Sequence, residues 1–272
     1  MADKNIFDLT GKVALITGAS RGLGRAFAEA MAQFGADVAC VGRDEVKLAE
    51  TVKIIGKYNH RAIAIKADVT QEDEVKKMVD DAVKQLGKID IFFNNAGIAR
   101  MPTRIHETPA EEWRVVIDTN LTGAFLALKH VLGHMVKNKK GSIINISSIA
   151  GLRAEWPEVG PASYGASKAG IILLTNIAAM EYAKDGIRVN CIAPGMHKSE
   201  LGQNNPQTAN APKPDPVMMQ KFINEYCEAE IPMGRMAEAS ELAGLAVLLA
   251  SDASSYITGQ VFAQDGGQSA RL

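Results

Sequence analysis

Residues Val13 to Gly24 read Val-Ala-Leu-Ile-Thr-Gly-Ala-Ser-Arg-Gly-Leu-Gly and leave few folds open. The first four side chains are apolar without alternation, as in a strand buried on both faces. Three glycines follow within seven positions, and Arg25-Ala26-Phe27-Ala28-Glu29-Ala30-Met31-Ala32 then favours helix. A strand, a glycine turn and a helix N-terminus together make a cradle for a pyrophosphate. The glycines let the main chain turn and come close, and the first helical N–H groups have no partner within the helix. The spacing is Gly18-x-x-x-Gly22-x-Gly24, with Ser20, Arg21 and Leu23 between, rather than Gly-x-Gly-x-x-Gly.

The rest of the chain repeats the strand-and-helix rhythm. Apolar runs at 13–17, 37–41, 62–66, 89–93, 142–146, 188–192 and 260–264 read as strands. Helical patterns lie between them at 23–34, 44–58, 72–86, 109–135, 162–184 and 238–249. This alternation predicts an α/β fold, a parallel sheet with helices on both faces, in a single domain over residues 1–272. Gly35 and Gly87 fall where helices should stop. Thr108-Pro109-Ala110-Glu111 has the pattern of a capping box. Residues 202–216, rich in Pro and Asn, break the rhythm; with a short helix at 217–228 they suggest a substrate lid over about 196–228.

Composition narrows the function classes. A formal net charge of −1 gives no electrostatic footprint for nucleic acid or an acidic membrane. Cys40, Cys191 and Cys227 are far apart and match no metal or disulfide spacing, which fits a reducing compartment. No signal-peptide pattern stands at the start and no run reads as a bilayer span, so a cytoplasmic protein is expected. His130 and His134 lack the glutamate of a zinc-protease helix, since Val131 follows His130, and no metal site is expected.

The second strand ends at Val41-Gly42-Arg43-Asp44, where a dinucleotide fold meets the adenosine ribose. Arg43, with Arg21 in the glycine turn, suits the 2′-phosphate of NADP, because a guanidinium can donate twice to phosphate. Asp44 reads as the N-cap of the next helix. NADP is therefore expected, with NAD as the alternative. Asp68 and Val69, after the third strand, are candidates to hold the adenine. Asn95, Ala96 and Gly97 follow the fourth strand, where ligand crevices form.

Ser163-Tyr164-Gly165-Ala166-Ser167-Lys168 opens a long helix and puts Tyr164 and Lys168 on one face. A phenol near pKa 10 is a poor acid–base group at neutrality, and an adjacent ammonium should lower it. A shift of ~3 units needs roughly 4 kcal/mol. Upstream, Ser147-Ser148 ends a strand and offers a hydroxyl to a carbonyl oxygen.

Taken in order, Thr-Gly-x-x-x-Gly-x-Gly, Asn-Asn-Ala-Gly, Ser, Tyr-x-x-x-Lys and Pro194-Gly195 resemble the short-chain dehydrogenase/reductase family across nearly the whole chain. The resemblance implies a Rossmann-type doubly wound sheet of about seven strands and hydride transfer between a nicotinamide cofactor and an alcohol or ketone. It implies Tyr164 as general acid/base, Lys168 as its tuning partner and ribose ligand, and Ser148, with Ser147 as the alternate, as the carbonyl-positioning hydroxyl. Asn120 matches the residue that holds a relay water. Pro194, Gly195, Met196 and Ser199 match the loop over the nicotinamide. It also implies a homotetramer built on the two longest helices, with the C-terminal strand forming a second contact.

The segment 152–161, carrying Arg153 and Trp156, is somewhat long for the family and should line the substrate pocket together with His197. Arg100, Arg104, Arg153, His197 and Lys198 read either as ordinary surface charge, the preferred reading, or as suited to an anionic substrate such as a sugar acid or an acyl carrier; a small polar ketone is the other substrate expectation. The competing readings are an NAD-dependent alcohol dehydrogenase of the same family, a sugar-nucleotide epimerase or dehydratase, and a dinucleotide sensor without turnover. Epimerases and dehydratases usually carry a longer C-terminal substrate domain, and a sensor need not keep Asn120, Ser148, Tyr164 and Lys168 together.

Overall fold

Every residue of the first strand, Val13–Thr17, is buried, so that strand runs through the middle of a sheet covered on both sides. In the computed structural model, which describes residues 5–100, 103–154, 162–199, 201 and 215–270, it is one of seven parallel strands. These are β1 (Val13–Thr17), β2 (Asp37–Gly42), β3 (Ala62–Lys66), β4 (Ile91–Asn94), β5 (Gly141–Ile146), β6 (Ile187–Pro194) and β7 (Val261–Gln264). The helices are α1 (Gly22–Gln33), α2 (Glu45–Ile55), α3 (Glu72–Leu86), α4 (Ala110–Ile117), α5 (Gly123–Asn138), α6 (Ala162–Tyr182), α7 (Pro216–Glu230) and α8 (Ala243–Ala250). Trp156 and most of the expected lid loop, 202–214, lie outside the described residues.

Alternate side chains of β1 feed two cores. Ala14 and Ile16 pack with α1, α2 and α8, where Phe27 stacks on Phe93 with ring centroids 4.9 Å apart. Val13 and Leu15 pack with α3, α5 and α6. Burying a side chain the size of Phe27 contributes about 1.5–3 kcal/mol, and both sheet faces are lined by such residues. The strand order is β3-β2-β1-β4-β5-β6-β7, so the chain reverses direction across the sheet between β1 and β4. A reversal leaves a crevice at the C-terminal ends of those two strands, the place where open α/β sheets bind ligands.

Several boundaries differ from the sequence reading. The helix expected over 109–135 is α4, a π-helical turn at Asp118–Thr122, and α5. Its capping box does not form: Thr108 turns away, donating to the Arg104 carbonyl at 3.0 Å and sharing a hydrogen bond with Thr103, and Pro109 is left as an uncapped N-cap. β4 begins at Ile91, two residues later than expected. The run Ala110–Asn138 is long and apolar enough by composition to cross a bilayer, which the sequence reading missed. Here it is interrupted by the π turn, and α5 packs against α3 and the sheet as part of one core.

Candidate active site

The glycine turn takes its shape from what surrounds it. Gly18 has φ +68°, and a Cβ there would lie 2.8 Å from the Asn95 amide nitrogen and 3.1 Å from Ala96 Cα. Gly24 is tighter still, with its Cβ position 2.2 Å from the Gly18 carbonyl oxygen. These close approaches come from β4, because Asn95 Nδ2 donates to Thr17 O at 2.8 Å while Thr17 Oγ1 accepts from Asn95 N and Ala96 N. Thr17 thus pins the two strands together at the reversal, a role the sequence reading did not assign to it. On the other side Arg25 donates to Ser20 O at 2.7 Å and to Thr51 Oγ1 at 3.0 Å, fixing the turn to α2.

The α1 N-terminus has no side-chain cap and no acidic residue in its first turn. Its N–H groups and positive dipole end are therefore available to an anion. They open on a groove of about 800 Å³ that runs across the C-terminal ends of the strands. Gly18, Ser20, Arg21, Gly22, Leu23, Gly24, Arg43, Asp68, Val69, Asn95, Ala96 and Gly97 line one part of it. Ser148, Tyr164, Lys168, Pro194, Gly195, Met196, His197 and Ser199 line the other. Glycines where a Cβ would collide, an uncapped helix N-terminus and two groove-lining arginines fit a dinucleotide.

Arg43 forms an exposed ion pair with Asp68 at 3.4 Å. Asp68 also accepts from Thr70 N and Oγ1; burial would raise its pKa, but Thr70 and Arg43 outweigh that and hold it below the usual carboxylate value. Asp44 accepts from Lys47 N at 3.1 Å, so it caps α2. The following helix α3 has Gln71 as its N-cap, without a side-chain bond, and Thr70 serves Asp68 instead.

At the other end, Ser147 and Ser148 separate cleanly. Ser147 is buried, and its hydroxyl donates to Lys168 O at 2.7 Å. The Ser148 side chain accepts from Ala150 N at 3.2 Å and lines the groove on the Tyr164 side. Lys168 Nζ donates to Ile146 O at 2.9 Å and lies 5.6 Å from the centroid of the Tyr164 ring. Burial pulls the Lys168 ammonium down to about 8. Burial also pushes the Tyr164 phenol up, with the Ser148 hydrogen bond opposing it. The expectation that Lys168 lowers the phenol is therefore not met: desolvation of the phenolate is the larger effect.

Asn120 sits within the π turn, fully buried. Its Oδ1 accepts from Ile98 N at 2.8 Å, and its Nδ2 donates to Ile98 O at 2.9 Å and Ser167 Oγ at 3.2 Å. A Cβ built on Gly97 would lie 3.3 Å from Asn120 Oδ1 and 3.5 Å from Lys168 Nζ, so these three residues converge. The side-chain amide is engaged in holding Ile98.

The expected pocket-mouth cations are mostly neutralised. Arg100 pairs with Glu112 at 3.0 Å, Lys198 pairs with Glu238, and Arg153 donates to the Gln268 carbonyl. Arg104 is exposed and His106 lies beside Glu107. His197 is 7% exposed; its Nδ1 is 3.1 Å from Gly195 O and its Nε2 has no hydrogen-bond partner among the described residues. His130 binds Glu72, and His134 Nε2 accepts from Ile89 N at 3.3 Å. No cluster of metal-ligating residues occurs among the described residues.

A family model described as enoyl-(acyl carrier protein) reductase matches residues 18–269. Glucose 1-dehydrogenase 2 of Bacillus subtilis (strain 168) is 36% identical over 265 residues, covering 96% of this chain and 95% of the relative. The crystal structure of a short-chain type dehydrogenase/reductase from Mycobacterium marinum superposes with a TM-score of 0.87 at 38% identity, covering 97% of this chain and 98% of that one. A gluconate 5-dehydrogenase from Burkholderia cenocepacia J2315, solved in complex with NADP and tartrate, superposes with a TM-score of 0.86 at 32% identity, covering 98% and 99%.

Proposed function

The chain belongs to the short-chain dehydrogenase/reductase family, an oxidoreductase family acting on CH–OH groups, and we propose that it interconverts a small polar ketone and its secondary alcohol with NADP(H). The observation that carries this reading is the meeting of Ser148, Tyr164 and Lys168 at the end of the groove opposite the glycine turn. When bound, the nicotinamide supplies or takes up the hydride. The chain does the rest. Ser148 holds the carbonyl oxygen and Tyr164 gives it a proton. The Lys168 ammonium steadies the phenolate that remains and hands on a proton from solvent.

Asn120 serves that relay through its backbone. Its side chain is engaged by Ile98 and Ser167, and the π turn interrupts the regular helical ladder around it, so a relay water would be held there by the main chain. His197 lines the groove and would border the substrate, whereas Arg153, expected beside it, is not among the groove's described lining residues and reaches Gln268 O instead. Since Arg100, Lys198 and Arg153 already have partners, a neutral carbonyl suits the groove better than an anionic one. The exposed side chains of Phe125, Leu173, Ile177 and Met180 on α5 and α6 support assembly into a homotetramer; a monomer in sedimentation at micromolar concentration would speak against it.

The direct test mixes the protein with NADPH and a panel of neutral sugar-derived and cyclic ketones, each beside its carboxylate or acyl-thioester counterpart. Loss of reduced-nicotinamide absorbance is expected with the neutral members. Tight dinucleotide binding without turnover of any member would make the chain a sensor.

The arginine pair supports NADP as cofactor. Arg43→Ala should lower kcat/KM with NADPH by about tenfold, the low end for a charged hydrogen bond because the side chain is exposed, and leave NADH within about twofold. Equal losses with both cofactors would remove the 2′-phosphate from the argument.

The pH dependence follows from the proton positions. Burial keeps Tyr164 protonated in the free chain, and Lys168 is charged only below about 8. The donor form, a neutral phenol beside an ammonium, is thus full below that pH and is depleted above it. For ketone reduction, kcat/KM should be flat below about 8 and decline above it, whereas a profile rising through that pH contradicts the assignment.

A further inference from the structure

The helix α7 has an unusually thin hold on the protein. Val217, Met218, Met219 and Phe222 on it are exposed, and the described part of the helix buries Cys227 as its main anchor. Beyond the helix, Met236 lines the groove, and the next residue, Ala237, donates its N–H to Met196 O at 3.0 Å. One residue before Cys227, Tyr226 Oη accepts from Gln268 Nε2 at 3.1 Å. Gln268 is 3% exposed, and its carbonyl accepts from the Arg153 guanidinium. Arg153 N in turn donates to Ile149 O at 3.2 Å, in the 3-10 turn that Ser148 caps. A chain of bonds therefore leads from α7 through Gln268 to the turn that carries the carbonyl-positioning hydroxyl.

The C-terminal turn is built to hold Gln268 in that place. Asp265 Oδ1 accepts from Gly267 N at 3.0 Å and Oδ2 from Ser269 N at 2.7 Å. Gly266 O accepts from Met233 N at 3.1 Å, just beyond α7. Gln264 O accepts from Gly195 N at 3.0 Å, and a Cβ on Gly195 would lie 2.6 Å from Asp265 Cβ. The same few residues thus touch the Pro194–Ser199 loop, the segment after Ser148 and the base of α7. Burying an amide is costly unless it is hydrogen-bonded, so a glutamine here has value only through its bonds.

We propose that Gln268 is a positioning residue: by joining α7 to the segment that follows Ser148, it fixes the substrate side of the groove. The effect on substrate rests on the function proposed above; the hold on α7 does not. Tyr226→Phe removes one hydroxyl, and Gln268→Leu removes the amide while keeping its bulk. Each should speed amide hydrogen exchange across residues 216–230 by roughly three- to tenfold, the value of one net neutral hydrogen bond. Each should raise KM for the ketone by a similar factor, with kcat and dinucleotide Kd within about twofold. The double variant should fall short of the sum of the two single ones, because both remove the bond between Tyr226 and Gln268. Unchanged exchange in α7 for Tyr226→Phe, or additive effects in the double variant, would overturn the proposal. If the wild-type chain reduces no ketone, the functional reading falls while the exchange data still judge the link.

Discussion

Tyr164→Phe should give a folded protein that binds dinucleotide normally and turns over ketone at least about a thousandfold more slowly. The substitution removes one oxygen. That oxygen lies at the Ser148 and Lys168 end of the groove, and no other described phenol lines it there to replace it as a proton donor. Lys168 is unaffected in place, since its ammonium hangs from Ile146 O. Ser147 also stays, since its hydroxyl is bonded to Lys168 O. The loss should therefore appear in the chemical step. Single-turnover rates with bound cofactor, beside calorimetric dinucleotide affinity, separate the two. A variant within about tenfold of wild type would mean that the proton reaches the substrate without the phenol, for instance through water on Lys168.

Gly24→Ala carries the second large effect, and its sign opposes helix propensity. Alanine favours a helix by about 0.8–1.0 kcal/mol over glycine. Here, however, its Cβ would stand 2.2 Å from Gly18 O and 2.7 Å from Asn95 Nδ2. The first of these is backbone, and Gly18 is locked to β4 through Thr17 and Asn95, so neither neighbour can swing aside. The helix must move off the strand instead. A destabilisation of about 1–3 kcal/mol is expected from overpacking alone, read as a lower urea midpoint. Dinucleotide affinity should fall by about a hundredfold, roughly 2.7 kcal/mol, because the displaced N–H groups no longer meet the pyrophosphate. Gly133→Ala is the matched control: that glycine lies within α5 with nothing within 4 Å of its Cβ position, and the substitution should stabilise by roughly 0.5–1 kcal/mol. Equal responses at the two glycines would show that propensity, not the close approach, governs Gly24.

The parts of the fold legible in the sequence are those decided locally. β1, β3 and α3 have the bounds their residue patterns dictate, and Gly87 closes α3 in the left-handed conformation at φ +93°. The groove brings together the glycine turn, Arg43, Asn95, Ser148, Tyr164 and Lys168, residues spread over some 150 positions, because each motif sits at the C-terminal end of a strand or begins the next helix. What could not be read depends on partners distant in sequence. The amide of Asn120 reaches across to Ile98, 22 residues away, and a helix that looks continuous is broken there. Thr108 chose Arg104 and Thr103 over a cap. Arg100 and Lys198 suit a substrate anion by residue type alone, but Glu112 and Glu238, distant in sequence, pair with them. The raised phenol of Tyr164 belongs to the same class, since burial is a property of the whole fold.

The groups proposed to carry the chemistry, and those beside them, are fastened largely to main-chain atoms: Lys168 to Ile146 O, Ser147 to Lys168 O, Ser167 to Tyr164 O, and Asn95 to Thr17 O. A backbone carbonyl is present whatever side chain its residue bears. These fastenings therefore ask nothing of the neighbouring side chains, which are free to drift as long as the strand and helix persist. The substrate-side segments answer to side-chain pairs instead, Arg100 with Glu112 and Gln268 with Tyr226, where one change strands its partner. A reaction that tolerates drift, beside a recognition surface that registers every exchange, is an arrangement from which new substrates can be reached while the bond-making apparatus stays in place.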